Sequence, residues 1–333
     1  MRMNKRLRVG ILGAAHINKV AILDAAAGAP GFVPTAIASR SLDKAQAYAA
    51  EHGIAHAFGD YHAAIASHDV DAIYIPLPNS QHVEWSIAAL EAGKPVLCEK
   101  PLAMNADEAR TLRDTVDRTG GVFVEAFHYR YHTFIRRIKQ LIDAGAIGDL
   151  KSLSIIGHVP GARMKADNIR RNAALGGGVT MDLGVYAIDA MRYLVGETPR
   201  VVSAKAELSL PEIDGAMHAE LAFPNGVTAD FHVSHISPHP ETESAISIVG
   251  SEGAIHATRP YLPHNSGELR LQTAKMELLE HADAMTTYMF QARAFIEHAA
   301  RERIVETDVH SGIINMEIID AVYRAAGLRP RGV

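Results

Sequence analysis

Over the first third of the chain, short apolar runs alternate with segments whose apolar residues recur at helical spacing. Leu7–Leu12 is an apolar run that ends in a glycine turn, and residues 17–27, rich in Ala, Ile and Leu, read as a helix. Phe32–Ala38 predicts a second strand and Leu42–His52 a second helix. Ala72–Ile75 predicts a buried strand and residues 80–92 a helix stopped by Gly93. Residues 95–98 predict another strand. A helix follows over 105–119, with Asn105 as N-cap and Gly120 at its end. Residues 122–125 close the series. Strands that alternate with helices imply βαβ units and a parallel sheet.

Beyond residue 125 the pattern changes. Residues 131–144 and 180–195 read as helices. Strand-like runs lie at 150–159, 201–210, 218–223, 227–234 and 244–249, and His218-Ala-Glu-Leu-Ala-Phe alternates as a half-exposed strand should. The turn Pro224-Asn225-Gly226 between two of these runs points to antiparallel pairing. Residues 285–326 read as helical again. The expected architecture is α/β: a doubly wound parallel sheet over residues 1–125, then an α+β domain over 126–333 built on a large, mainly antiparallel open sheet. A length of 333 residues fits two cores better than one.

Composition narrows the function classes. Hydrophobic residues make up 48% and charged residues 21%, the balance of a globular chain. The formal net charge of −5, with Lys and Arg scattered, speaks against a nucleic-acid partner. A single cysteine, Cys98, rules out an intrachain disulfide or a zinc site built on cysteines, and suits a reducing compartment. The basic start, Met1 to Arg8, leads into an apolar stretch too short for a signal peptide, and no window has the apolar length of a membrane span. The protein is expected to be cytoplasmic, with no membrane partner.

The turn Gly10-Ile-Leu-Gly13-Ala-Ala15-His-Ile-Asn18 stands where a dinucleotide fingerprint would carry glycine at 13, 15 and 18. Only Gly13 is present. Its position after the first strand, at the start of a helix, still suits a pyrophosphate on free N–H groups. At the end of the second strand, enzymes using NAD carry Asp or Glu for the ribose 2′-hydroxyl. Here stand Ser39-Arg40-Ser41, with Lys44 one turn on. A guanidinium and a hydroxyl suit a 2′-phosphate, so the cofactor expected is NADP(H) in preference to NAD(H).

The turn at 10–17, the loop Ile75-Pro-Leu-Pro-Asn-Ser-Gln-His82 and Glu99-Lys100-Pro101 resemble the glucose–fructose oxidoreductase / inositol dehydrogenase (Gfo/Idh/MocA) family. Ala174-Leu-Gly-Gly-Gly-Val-Thr-Met-Asp182-Leu-Gly-Val-Tyr186 extends the resemblance into the second domain. Glu125-Ala-Phe-His-Tyr-Arg-Tyr-His132 is similar to the NADP-dependent D-xylose dehydrogenase and dihydrodiol dehydrogenase branches. The resemblance implies a Rossmann domain that holds the cofactor through Gly13, Ala14, Ala15, His16 and Ile17; Ser39, Arg40 and Lys44; Leu77, Pro78, Asn79 and His82; Glu99, Lys100 and His128. It implies a cis bond before Pro101 and an active site of Lys100, Asp182 and Tyr186. It also implies a homodimer or homotetramer, paired through the open face of the second sheet.

The chemistry follows from the residue types. Oxidising an alcohol removes a hydride from carbon and a proton from oxygen, and a positioned base must take the proton. Asp182 and Tyr186, four apart, share a helix face. Tyr186 is expected to transfer the proton. Lys100 would polarise the hydroxyl and lower the tyrosine pKa, and Asp182 would orient a sugar or polyol substrate. Gly176, Gly177 and Gly178 are expected to let backbone approach a ligand. Tyr129, Arg130 and Arg171 are further expected substrate neighbours, with His128 beside them in the cleft. The expected activity is that of a D-xylose 1-dehydrogenase. Dihydrodiol dehydrogenase, anhydrofructose reductase and inositol dehydrogenase are the alternatives, and a non-catalytic NADP-sensing regulator is the alternative of another class. His232, His235 and His239 are the densest histidines. Since His232 and His235 fall on opposite faces of a strand, no metal site is expected. Cys98 and Trp85 read as packing residues.

Overall fold

The computed structural model describes residues 6–333; the basic start at residues 1–5 lies outside the described residues. Two compact units share the chain. The first holds strands β1 (Leu7–Leu12), β2 (Phe32–Ala38), β3 (His56–Phe58), β4 (Ala72–Ile75), β5 (Val96–Cys98) and β6 (Phe123–Glu125). They form one parallel sheet in the order β3-β2-β1-β4-β5-β6. Every residue of β4, β5 and β6 is buried, as expected for a parallel sheet covered on both faces.

The connecting helices are α1 (Asp24–Gly28), α2 (Leu42–His52), α3 (Tyr61–Ala66), α4 (His82–Glu91) and α5 (Ala106–Thr119), which ends in the second unit at its first residue. Helix α2 starts where Ser41 accepts from Lys44 N and ends at Gly53, whose φ of 67° suits glycine. The three-residue β3 and six-residue α3 are too short to give a periodic signal. Asp60 caps α3 by accepting from Ala63 N at 2.9 Å.

The second unit contains α6 (Thr133–Asp143), strand β7 (Leu150–Pro160), α7 (Val185–Val195) and β8 (Arg200–Leu210). Six strands follow: β9 (Ile213–Ala222), β10 (Thr228–Ser237), β11 (Glu243–Gly250), β12 (Gly253–Thr258), β13 (Glu268–Thr273) and β14 (Glu277–His281). Their order is β14-β13-β12-β11-β7-β10-β9-β8, antiparallel except for the central β7–β10 pair. One face is covered: Met217, Ala219 and Leu221 of β9 are buried while His218 and Glu220 between them are exposed. Helix α7 lies against β7 on the covered side.

The tail is two helices, α8 (Thr287–Ala299) and α9 (Val309–Ala325), where a single helical stretch was expected. The two compact units interleave across the boundary expected after residue 125. The first unit takes back Tyr288–Ile313, and the second takes Met104–Ala106. The returning segment is bound by specific contacts. Glu125 N donates to Thr307 O at 2.8 Å, Thr307 Oγ1 donates to Glu125 O at 2.7 Å, and Phe295 meets Phe32 edge-on. Such long-range returns carry no periodic signature. No helix among the described residues is long and apolar enough to cross a membrane. None of their His, Cys, Asp and Glu side chains forms a group of three placed to hold a metal ion.

Candidate active site

In the first unit, the chain leaves β1 for β2 on one side, and β4 joins β1 on the other. This reversal leaves a crevice at the carboxyl ends of β1 and β4, the place where open α/β sheets bind ligands. Gly13 sits there with φ of 106°, and a Cβ on it would lie 2.9 Å from Leu77 Cδ2. Gly13 N donates to Ala38 O at 2.8 Å, which ties the turn to the end of β2. Asn18 fills the third fingerprint position with a different device. Its buried side-chain amide donates to Gly13 O at 2.8 Å and closes the turn from within. Ala14 and His16 are exposed, and Ala15 and Ile17 half-exposed. A backbone this open, beside a glycine that tolerates no side chain, fits a pyrophosphate.

Ser39 and Arg40 follow β2 directly, with Arg40 and Lys44 exposed. Burial pushes the Tyr61 phenol up in pKa and the Arg40 charge pulls it back, so the guanidinium acts on this side of the turn. Pro78 and Asn79 are half-exposed after β4.

At the end of β5, Cys98 is buried and burial pushes its thiol well up, so it packs and does not react. Glu99 accepts from Tyr74 Oη at 2.8 Å. Lys100 is half-buried, and its bond to Pro101 is cis. Leu102 N donates to Glu125 Oε1 at 2.9 Å. His82, expected against the cofactor, is instead fully buried with each ring nitrogen 2.7 Å from a carbonyl, Pro101 O and Leu77 O. It serves these loops from inside. His128 is buried with its ring 4.2 Å from that of Tyr288.

In the second unit, Asp182 lies in a π-helical turn (Thr180–Gly184) that runs into α7, and Tyr186 is the second residue of α7. Single π turns of this kind recur at functional sites. Asp182 Oδ2 accepts from Arg170 Nε at 2.7 Å and lies 2.9 Å from His235 Nε2. Tyr186 is 9% exposed, its ring 4.9 Å from Tyr261 and 5.8 Å from Tyr129.

Tyr129 and Arg130, expected beside the substrate, are interior groups. Tyr129 Oη donates to Asp189, and Arg130 pairs with the same carboxylate at 3.1 Å while its guanidinium lies 3.9 Å over the Tyr193 ring. Asn315 adds a third donor to Asp189 at 3.3 Å. A buried charge needs such partners, and the cluster leaves Tyr129 to support the Tyr186 ring. Arg171 lines a cavity of about 420 Å³ with Asn168, Asn172, Leu210 and Ile213; it is Arg170 that reaches Asp182.

The glycine run also has an internal reason. A Cβ on Gly177 would lie 2.6 Å from Arg170 O, and one on Gly178 would strike Asp214 and Arg331. Asp214 Oδ2 accepts from Thr180 N at 2.8 Å, and Arg331 binds both Asp214 (2.5 Å) and Gly177 O (2.7 Å). Backbone thus approaches Arg170 O at Gly177 and the Asp214–Arg331 pair at Gly178.

Sequence reading missed Arg170, His235 and Tyr261. His235 carried a usable signal: strand alternation set it on the face opposite His232, and that is the buried face. Tyr261 carried none.

The chain is similar to known proteins over almost its whole length. Residues 7–127 match the model described as an oxidoreductase family with an NAD-binding Rossmann fold, and residues 135–256 match the GFO/IDH/MocA C-terminal domain. It is 33% identical over 321 residues to a D-xylose 1-dehydrogenase (NADP(+)) of Haloferax volcanii, covering 95% of this chain and 96% of that one. It is 38% identical over 263 residues to a dTDP-3,4-didehydro-2,6-dideoxy-alpha-D-glucose 3-reductase of Streptomyces violaceoruber, covering 78% and 75%. Among solved structures, a 3-ketoreductase from Actinomadura kijaniata in complex with NADP and TDP-benzene superposes with a TM-score of 0.88 at 27% identity, covering 98% of each chain.

Proposed function

The chain belongs to the Gfo/Idh/MocA family of NAD(P)-binding oxidoreductases, and from that premise we propose that it is an NADP(H)-dependent dehydrogenase or reductase of a sugar or related polyol, with D-xylose 1-dehydrogenase-like activity. The observation that carries the cofactor preference is exposed Arg40 beside Ser39, directly after β2, where a carboxylate would repel a 2′-phosphate. The name of the Haloferax relative supports the same cofactor and a sugar substrate.

The chain's own groups divide the work. Gly13 and the open backbone after it would hold the pyrophosphate, and Ser39, Arg40 and Lys44 the 2′-phosphate. The bound nicotinamide supplies or accepts the hydride. Tyr186 Oη takes the hydroxyl proton in oxidation and returns it in reduction. Lys100 donates to the reacting oxygen and favours the phenolate that accepts the proton. Asp182 accepts from a neighbouring substrate hydroxyl. Its Oδ2 accepts from Arg170 Nε and lies 2.9 Å from His235 Nε2, which fixes the carboxyl group in place.

A second reading, reduction of a nucleotide-linked keto sugar, is favoured by Arg171 in its cavity, a cation that suits a phosphate. Assays of the purified protein with NADP⁺ and NAD⁺ against aldoses and polyols, and with NADPH against keto sugars and dTDP-linked keto sugars, separate the two. Turnover of an aldose is the expected result, and turnover confined to the nucleotide-linked substrates selects the second reading. Lys100→Ala should lower kcat by about 100-fold or more, with NADPH binding retained. Cofactor binding without turnover on any substrate would point to a regulator and overturn the proposal.

A further inference from the structure

Tyr61 opens α3, directly after its cap Asp60, and is 7% exposed. Its ring stands edge-on to Trp85, with centroids 4.8 Å apart and planes at 81°, a contact that holds it in one orientation. The hydroxyl end reaches the turn after β1. A Cβ on Gly13 would lie 3.9 Å from Tyr61 Oη, with Leu77 on its other side. The end of β2 comes to the same place. Ser39 N donates to Phe58 O at 3.0 Å, which ties the segment that carries Arg40 to the strand end three residues before Tyr61.

A phenolic hydroxyl can donate one hydrogen bond and accept others. Among the described residues, no group forms a hydrogen bond with Tyr61 Oη. Burial pushes the phenol above its ordinary pKa, and the Arg40 charge pulls it back only in part. The group therefore keeps its proton at neutral pH and can donate it to an acceptor. A neutral donor and a guanidinium thus act on one place beside Gly13. A bare ribose hydroxyl could use the phenol but would gain little from the cation. A phosphate oxyanion uses both.

We propose that Tyr61 is a further cofactor-reading residue, whose hydroxyl donates to the 2′-phosphate that Arg40 pairs with. The assignment rests on the NADP(H) reading given above and adds an uncharged donor to its charged one.

Adenosine 2′,5′-bisphosphate and adenosine 5′-monophosphate test it, since they differ only in the 2′-phosphate and undergo no turnover. In titration calorimetry of the full chain, wild type should bind the bisphosphate more tightly. Tyr61→Phe keeps the ring against Trp85 and removes only the hydroxyl. It should weaken the bisphosphate about 10-fold and the monophosphate less than about twofold. Fluorescence titration with NADPH and NADH should repeat the pattern on the whole cofactors. Equal weakening of both ligands would put the hydroxyl on the part they share and overturn the assignment, as would no weakening at all. The thermal midpoint of Tyr61→Phe should not fall, because no protein group loses a partner, and a clear fall would make the hydroxyl structural and overturn the assignment. A wild type without preference for the bisphosphate would remove the NADP(H) reading and this proposal with it. A preference equal in wild type and variant would remove Tyr61 alone.

Discussion

Arg170 Nε lies 2.7 Å from Oδ2 of Asp182, so the carboxylate assigned to orient substrate is itself oriented by a neighbour twelve residues earlier. The Arg170 side chain is 41% exposed, so its removal should spare the fold. A hydrogen bond to a charged group is worth about 1.5–3 kcal/mol, and Arg170→Ala should therefore lower kcat/KM by roughly 10- to 100-fold. Steady-state kinetics beside a urea midpoint separates this from unfolding. An unchanged kcat/KM would remove Arg170 from the site.

Arg40 is the proposed lever on cofactor choice. Arg40→Asp exchanges a partner for the 2′-phosphate for one suited to the ribose hydroxyl. The ratio of kcat/KM for NADP⁺ to that for NAD⁺ should fall by about 10-fold or more, in line with the loss of a charge-assisted contact. The same ratio in mutant and wild type would show that Arg40 does not read the phosphate.

The Asp214–Arg331 pair is nearly inaccessible, with side chains 0% and 5% exposed. Removing one member strands the other charge, which typically costs about 3–5 kcal/mol. Arg331→Met should lower stability by that order in urea titrations. The loss should exceed that of the double variant Asp214→Leu with Arg331→Met, because the double change leaves no buried charge alone. A double variant no more stable than the single would contradict this account.

His132 links two segments of the second unit. Its Nδ1 accepts from Phe134 N at 3.0 Å as the N-cap of α6, and its Nε2 lies 3.0 Å from Met285 O, so the neutral ring fits both. Burial holds its pKa below the ordinary histidine value, with the Met285 carbonyl opposing. The unfolded chain therefore binds this proton more readily than the native one. The contribution to stability is complete above about pH 6.5 and is lost as the pH falls toward the lower native value. Between pH 7.5 and 5.5 the wild type should lose more stability than His132→Asn, which keeps a capping acceptor that does not titrate. Thermal or urea midpoints at the two pH values decide it.

How far the sequence discloses these features depends on the range of the interaction. Phe32–Ala38 and Leu42–His52 were legible with their ends in place because each is long enough to show its period, and Ser41 and Gly53 punctuate the helix locally. The strand β3 and helix α3 are shorter than one readable repeat. β12 to β14 escaped because each is only five or six residues long and carries only two or three apolar side chains. At the site, Gly13, Asp182 and Tyr186 stood out as types at fixed spacings. The partners of Asp182 did not, since His235 is 53 residues away and only the sheet brings it near. Asn18 and the glycines at 177 and 178 were visible as residues, but their internal partners were not. Their purpose is set by Gly13 O in one case and by Asp214, Arg331 and Arg170 O in the other, neighbours that only the folded chain supplies.

Arg331 grips Gly177 O across 154 residues and Asp214 across 117. The brace behind the turn that bears Asp182 is therefore drawn from three well-separated stretches of the chain. During synthesis the strands and helices of this unit emerge first and can pair, but the turn stays unbraced until residue 331 is free to reach it. A chain cut before Arg331 leaves Asp214 buried without its cation, so the order of this turn depends on one guanidinium 117 residues beyond Asp214.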